Sequence, residues 1–186
     1  MIGGTDPMNC AGPILEGMQG LGYNPVLVAG KSDKPEDAAR MESLKKALGA
    51  YPQSAWLTSL TAGQMRTLWE SVKFSIIGPG TSPVWEHFAS RCPFIGAITN
   101  LSLTANAAIL EKMNLPTLHA QNHDELMAAV WGKGAPVSAR FARADVQKAV
   151  NWLENLGYIK NRLPDAAPFN QVDAHGAERI VKALGL

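Results

Sequence analysis

The sequence is short of cysteine and of net charge, and each shortage excludes a class of protein. Only Cys10 and Cys92 are present among 186 residues, far apart and without metal-ligand spacing around them. Two isolated cysteines do not make a disulfide framework, so they indicate a reduced, cytosolic protein. The formal net charge is +1, and no cluster of Lys or Arg stands out. No bulk electrostatic field therefore draws the chain to nucleic acid or to a membrane.

Long apolar runs and metal-binding spacings are also missing. No apolar run approaches the length of a membrane span, so we expect a cytoplasmic protein that at most meets a membrane peripherally. His119 and His123 have the i, i+4 spacing of a helical metal site, but Pro116 and Asn122 interrupt any helix that would align them. We therefore predict neither a metal site nor a cofactor.

What the sequence does contain is the alternation of a globular α/β domain. Apolar residues make up 46% and charged residues 18%, a balance that argues against disorder and allows one well-buried domain over residues 1–186. Helical spacing of apolar residues alternates with short apolar runs bounded by Gly, Pro, Ser or Asn. The five tryptophans fall within these elements, where we expect core or interface positions. The predicted helices are 9–21, 35–48, 62–71, 82–90, 103–113, 124–131, 139–156 and 174–184, and the predicted strands are 25–30, 54–60, 73–78, 93–98 and 115–120.

Strands that are apolar on both faces suit a parallel sheet with helices on both faces and right-handed crossovers. Such sheets bind ligands beyond the carboxyl ends of their strands. Glycine turns that follow predicted strands are therefore the candidate sites.

The first such turn opens the chain. Met1 and Ile2 read as the end of a strand, Gly3, Gly4 and Thr5 as a turn that lets a ligand approach the backbone, and Asp6 as a cap for the following helix. Two residues are too few for a buried strand, so we expect a fragment that begins inside an element. A plain tight turn is the alternative interpretation of the glycine pair.

The second turn, residues 78–82, runs from a strand into a helix whose first turn contains Pro83. The free N–H groups and the dipole of a helix start favour an anion there, and Thr81 and Ser82 add hydroxyl donors. With Ser82 as the cap, a capping box would place its acid at Trp85, so Glu86 is not needed for capping. A carboxylate beside a phosphate site suits the hydroxyls of a ribose. The alternative is that Glu86 is a solvated first-turn acid and the hydroxyls merely cap the helix.

Four motifs in order carry a resemblance to a known family: "GGTDPMN", then "MRTLWESVKFSIIGPGTSPVWE", "CPFIGAITN" and the tail "VDAHGAERIVKAL". The chain resembles the carboxyl-terminal, nucleotide-sugar-binding domain of GT-B glycosyltransferases. It is most similar to the UDP-sugar hydrolase of pseudaminic acid synthesis and its relatives in spore-coat polysaccharide biosynthesis. The resemblance spans nearly the whole chain and implies a Rossmann-like parallel sheet with helices on both faces.

The resemblance also implies a ligand, UDP or a UDP-sugar, and a role for each matching residue. Thr81 and Ser82, after Gly80, would meet the diphosphate, and Glu86 would meet the ribose hydroxyls. The segment that ends at Met65 would lie by the uracil. The other implied nucleotide-binding residues are Gly3, Gly4 and Thr5, near the phosphates or the acceptor, and Asn100, where the family has an Asn-Gln pair.

The chain departs from the family pattern in ways that bear on activity. Pro79 replaces a glycine, Lys73 replaces an aspartate and Leu101 replaces the glutamine of the Asn-Gln pair. The family's amino-terminal domain, which binds the acceptor and usually supplies the catalytic base, has no counterpart here, so the catalytic residues stay unknown. We expect a missing amino-terminal domain, a partner chain or a homodimer to complete the enzyme.

Two other interpretations stay open. The chain could be a non-catalytic nucleotide-binding or interaction module whose site has decayed, which the substitutions at Lys73, Pro79 and Leu101 favour. An unrelated α/β domain, such as a response-regulator-like module, would require an acidic cluster at the strand ends, and the sequence does not show one.

Overall fold

The structure, a computed structural model, describes residues 6, 8–30, 35–99, 103–132, 137–165 and 182. Helices and strands alternate along most of this part of the chain. In chain order they are α1 (Ala11–Met18), β1 (Val26–Ala29), α2 (Pro35–Leu48), β2 (Ala55–Thr58), α3 (Ala62–Ser71), β3 (Ser75–Ile77), α4 (Thr81–Ala89), β4 (Phe94–Ile98), α5 (Thr104–Lys112), β5 (Thr117–His119), α6 (His123–Val130), α7 (Arg143–Asn155) and α8 (Tyr158–Asn161).

All five strands lie in parallel pairs. β1 pairs with β2, with Val26 opposite Ala55, and a second sheet has the order β3-β4-β5. In that sheet Ser75 lies opposite Phe94 and Gly96 lies opposite Thr117. This arrangement confirms the predicted α/β class with parallel strands and is consistent with a Rossmann-like fold.

Strand β4 lies at the centre of the core. Each of its five residues is buried, which is the pattern of a parallel strand covered on both faces. Gly96 allows α5 to pack closely, since a Cβ atom there would lie 2.8 Å from Leu110 Cδ1. The apolar run "PFIGAI" therefore has no polar residue because neither of its faces meets water.

The first helix is capped from a distance. The buried Asp6 carboxylate accepts hydrogen bonds from the N–H groups of Cys10 and Ala11, each at 2.8 Å. The Asp6 carboxylate thus caps the helix, although the N-cap residue is Cys10, and the helix begins at Ala11, two residues later than predicted. Helix α1 then packs on α7, where a Cβ atom at Gly17 would lie 2.7 Å from Val146 Cβ.

The predicted helix 139–156 was too long at its amino end. Helix α7 begins at Arg143, because the preceding residues bond to other segments instead. The N–H of Ala139 donates to the Met8 carbonyl, and the Arg140 carbonyl accepts from the N–H of Gln121, both at 2.8 Å. The predicted helix 174–184 lies outside the described residues except for Lys182, which is helical.

The side chain of Arg162 joins the carboxyl ends of two helices. Its guanidinium donates to the carbonyls of Trp69, Glu70 and Val72 at the end of α3. It also donates to the carbonyl of Ser90, which follows α4, at 3.0 Å. A helix end leaves several carbonyls without intrahelical donors, and the planar fork of arginine reaches them together.

The five tryptophans differ in burial, and Trp56 is partly buried. Trp69 is buried, as expected, but the side chains of Trp85, Trp131 and Trp152 are 48%, 69% and 43% exposed. Of the two predicted alternatives, the core is therefore excluded for these three residues, and an interface position stays a prediction. No helix in the described part of the chain is long and apolar enough to cross a membrane.

Candidate functional site

Helix α4 begins without a side-chain cap. Its N-cap residue is Gly80, which is extended with φ −62° and ψ 164°. The N–H of Gly80 donates to the Gly78 carbonyl at 2.8 Å, and the N–H of Val84 donates to the Gly80 carbonyl at 3.2 Å. Pro83 has no N–H. Among the described contacts, the main-chain N–H groups of this first turn that have no acceptor are therefore those of Thr81 and Ser82.

The interpretation of Ser82 as the cap was wrong. Thr81 and Ser82 are the first two helical residues, and both are exposed. Their hydroxyls are therefore not used to close the helix, and they stand beside the two free amides. Two amides and two hydroxyls at the positive end of a helix dipole form a donor set suited to an anion.

Glu86 lies on the same face of α4 as Ser82, because residues four apart are neighbours on a helix. Its side chain is exposed, but nearby protein atoms partly exclude water, and this desolvation raises the pKa of the carboxyl above its ordinary value. The described contacts give it no ion pair. A hydroxyl-bearing ligand would give this carboxylate a partner.

The turn before α4 is anchored on the neighbouring strand and helix. Asn106 Nδ2 of α5 donates to the Pro79 carbonyl at 2.6 Å. The ring of Pro79 packs over β4, where a Cβ atom at Gly96 would lie 3.4 Å from Pro79 Cγ. Pro79 is the central residue of the three-residue turn that is closed by the hydrogen bond from the Gly80 N–H to the Gly78 carbonyl. The fixed φ of proline suits this position. The proline thus stiffens the turn. The role of Asn106 has no local sequence signal, because 27 residues separate it from Pro79.

A Ser–His pair fixes α4 to β3. His87 is fully buried, and its Nδ1 lies 2.6 Å from the Pro83 carbonyl while its Nε2 lies 2.5 Å from Ser75 Oγ. The carbonyl can only accept, which assigns the proton to Nδ1 and makes Nε2 the acceptor of the serine hydroxyl. Burial lowers the pKa of His87 to about 4, against a weaker opposing effect of the Pro83 carbonyl. The imidazole is therefore neutral, and it positions the helix.

The serine of this pair lies away from the turn that precedes α4. Ser75 is the first residue of β3, whereas the turn at residues 78–80 follows the last. The other described histidines are not at this turn either, since His119 ends β5 and His123 begins α6. Their positions on different elements confirm that no single helix aligns them. Within the described residues, no group of three His, Cys, Asp or Glu side chains is placed to hold a metal ion.

The structure brings together only some of the predicted site residues. Gly80, Thr81 and Ser82 form the start of α4, and Glu86 lies about one turn further along the same helix. Met65 lies on α3, where it is buried with Trp69 and Cys92, so its side chain belongs to a small core cluster. Gly3, Gly4, Thr5 and Asn100 lie outside the described residues.

Comparison with protein-family models, with curated proteins and with solved structures finds no match to this chain.

Proposed function

We propose that the start of α4 binds the diphosphate of a UDP-sugar and that Glu86 binds the ribose. The observation that carries this proposal is the uncapped first turn, in which the amides and hydroxyls of Thr81 and Ser82 are exposed together at the carboxyl end of β3. Ligands of parallel sheets bind at that edge. The anchored Pro79 turn supports it, since a preorganised donor set loses less entropy on binding.

The chemistry of such a site is the stabilisation of a leaving group. Helix-start amides and hydroxyls stabilise the negative charge that develops on a diphosphate when the bond to the anomeric carbon breaks. Activation of the attacking hydroxyl requires a base, and the imidazole on α4 is buried with both ring nitrogens hydrogen-bonded. We therefore assign the base and the acceptor site to a partner domain or chain, in a cytoplasmic glycosyltransferase or UDP-sugar hydrolase.

Calorimetric titration with UDP tests the ribose contact. Glu86→Gln should weaken binding by about 1–3 kcal/mol, which is about fivefold to 150-fold, because a charged hydrogen bond is lost. Glu16→Gln, at an exposed acid on α1, is the matched control and should bind as the parent does.

A double-mutant cycle with 2′,3′-dideoxy-UDP sharpens the assignment. The parent should bind this analogue more weakly than UDP, whereas Glu86→Gln should bind the two about equally, because the hydroxyls no longer have a carboxylate to meet. If the analogue binds more weakly than UDP by the same factor in the parent and in the variant, Glu86 does not contact the ribose hydroxyls.

The second candidate is a non-catalytic nucleotide-binding or interaction module with a decayed site. The contacts of His87 favour it, because this imidazole on α4 is hydrogen-bonded to Ser75 of β3 and has a structural role. Assays of UDP release from UDP-sugars separate the two candidates. The isolated chain should release none in either case, and only the first candidate gains turnover when a partner domain is added.

A further inference from the structure

A shallow groove runs along the exposed side of α7. This α7 groove extends from Ala144 to Leu156, and its aromatic and polar walls are formed by Gln147, Lys148, Asn151, Trp152 and Asn155. No Asp or Glu is among the described residues that line it. The groove therefore offers a ligand one aromatic surface, three amides and one ammonium group.

The three amides form a ladder along the groove. Gln147, Asn151 and Asn155 follow one another at intervals of four residues, so they lie on one face of the helix. The ladder is about 12 Å long, since an α-helix rises about 1.5 Å per residue. Asn151 and Asn155 are exposed, and the described contacts give none of the three amides a hydrogen-bond partner in the protein. Each amide can therefore both donate to a ligand and accept from it.

Trp152 supplies an apolar surface beside this ladder. Its side chain is 43% exposed, so the flat face of the indole is accessible to a ligand. A sugar has the matching chemistry, because C–H groups cover a face of its ring while hydroxyls that both donate and accept surround the edge. The indole can therefore stack on the ring while the amides bind the hydroxyls.

The groove lies on a rigid support. The opposite face of α7 buries Val146, Ala149, Val150 and Leu153. Val146 packs so closely on α1 that a Cβ atom at Gly17 would lie 2.7 Å from its Cβ atom. Because the amides and the indole are carried by a firmly packed helix, ordering them around a ligand costs little entropy.

Other classes of ligand match the α7 groove less well. A partner helix requires a stripe of apolar side chains, and this stripe carries amides instead. A nucleic acid or an anionic membrane requires a cluster of basic residues, and Lys148 is the one basic residue among those described as lining the groove. A neutral ligand that is rich in hydroxyls matches the groups that are present.

We propose that the α7 groove binds an oligosaccharide. One sugar ring stacks on the indole of Trp152, and the hydroxyls of this ring and its neighbours exchange hydrogen bonds with Gln147, Asn151 and Asn155. The ladder is longer than a single sugar ring, which favours a chain of sugars. The groove and the start of α4 lie on different helices, and the proposal does not depend on what binds at α4.

Binding to a glycan array gives the first test. The array carries oligosaccharides of glucose, N-acetylglucosamine, mannose and galactose, and the parent chain should bind at least one of them. Trp152→Leu should weaken that binding by about tenfold or more, because leucine lacks the flat face of the indole. Trp131→Leu is the matched control and should bind as the parent does, since Trp131 is exposed but follows α6. The absence of binding to every sugar, or equal binding by the two variants, would overturn the proposal.

Calorimetric titration with the trisaccharide that binds most tightly on the array tests the amides. Gln147→Glu should weaken binding by about threefold, because a hydrogen bond from the ladder is lost. Gln53→Glu makes the same change at an exposed glutamine between α2 and β2, and it should bind as the parent does. Equal affinities for these two variants would overturn the role of the amide ladder.

Light scattering coupled to size exclusion tests the other occupant, a second copy of the chain. Trp152→Leu alone should have the same molar mass as the parent, because the proposed ligand of this groove is a sugar. A lower mass for this variant would assign the groove to an interface between copies and would overturn the proposal.

Discussion

His87 couples the stability of the fold to pH. Its pKa falls from about 6.5 to about 4 on folding, mainly because burial disfavours the charged imidazolium. Between these two values the unfolded chain binds a proton that the folded chain does not. The contribution of His87 to the free energy of unfolding is therefore complete above about pH 6.5, and it is lost as the pH falls toward 4.

We predict that this residue accounts for up to about 3 kcal/mol of stability lost between pH 6.5 and pH 4. Urea unfolding at several pH values measures the loss. His87→Gln should show a flatter dependence than the parent. Parallel curves for the parent and His87→Gln would show that His87 is not titrating as a buried group.

The carboxyl ends of α3 and α4 depend on one side chain. Arg162→Lys should lower the free energy of unfolding by about 2 kcal/mol, because an ammonium cannot reach four carbonyls in a planar fork. Urea unfolding measures the loss. Arg143→Lys is the control, since Arg143 is exposed and donates to the single carbonyl of Gln19. A similar small effect for both variants would contradict the role of Arg162 as a bridge between the helices.

The alternation of helices and strands was predictable because each element carries its own local pattern. The five predicted strands are all present, trimmed to between three and five residues by the described pairing. The start of α7 was missed because residues 139 and 140 bond to segments far away in the chain. The end of α3 at Ser71 was predicted correctly, but its capping by Arg162 was not, because the two partners lie about 90 residues apart in the chain.

The surface of the whole molecule carries large apolar side chains. Trp85, Trp131 and Trp152 are each more than 40% exposed, and exposed aromatic side chains are typical of association surfaces. We predict a dimer or a larger species, measured by light scattering coupled to size exclusion. Replacing the three tryptophans by glutamine should shift the protein toward the monomer. A parent chain that stays monomeric across micromolar concentrations would contradict this prediction.

Composition and local periodicity are sufficient for the helices, the strands and a helix start after residues 78–80, because these follow from interactions between residues close in sequence. The parallel pairing follows from their alternation, since strands connected by crossover helices lie parallel. Tertiary structure alone assigns the anchoring of Pro79 by Asn106 and the neutral state of His87, and it shows that Gly80, not Ser82, is the N-cap residue of α4. Each of these features depends on which groups are desolvated or hydrogen-bonded by partners from other elements, and no local pattern contains that information. Such partners are distant in the sequence, as for Arg162, which donates to a carbonyl 93 residues away.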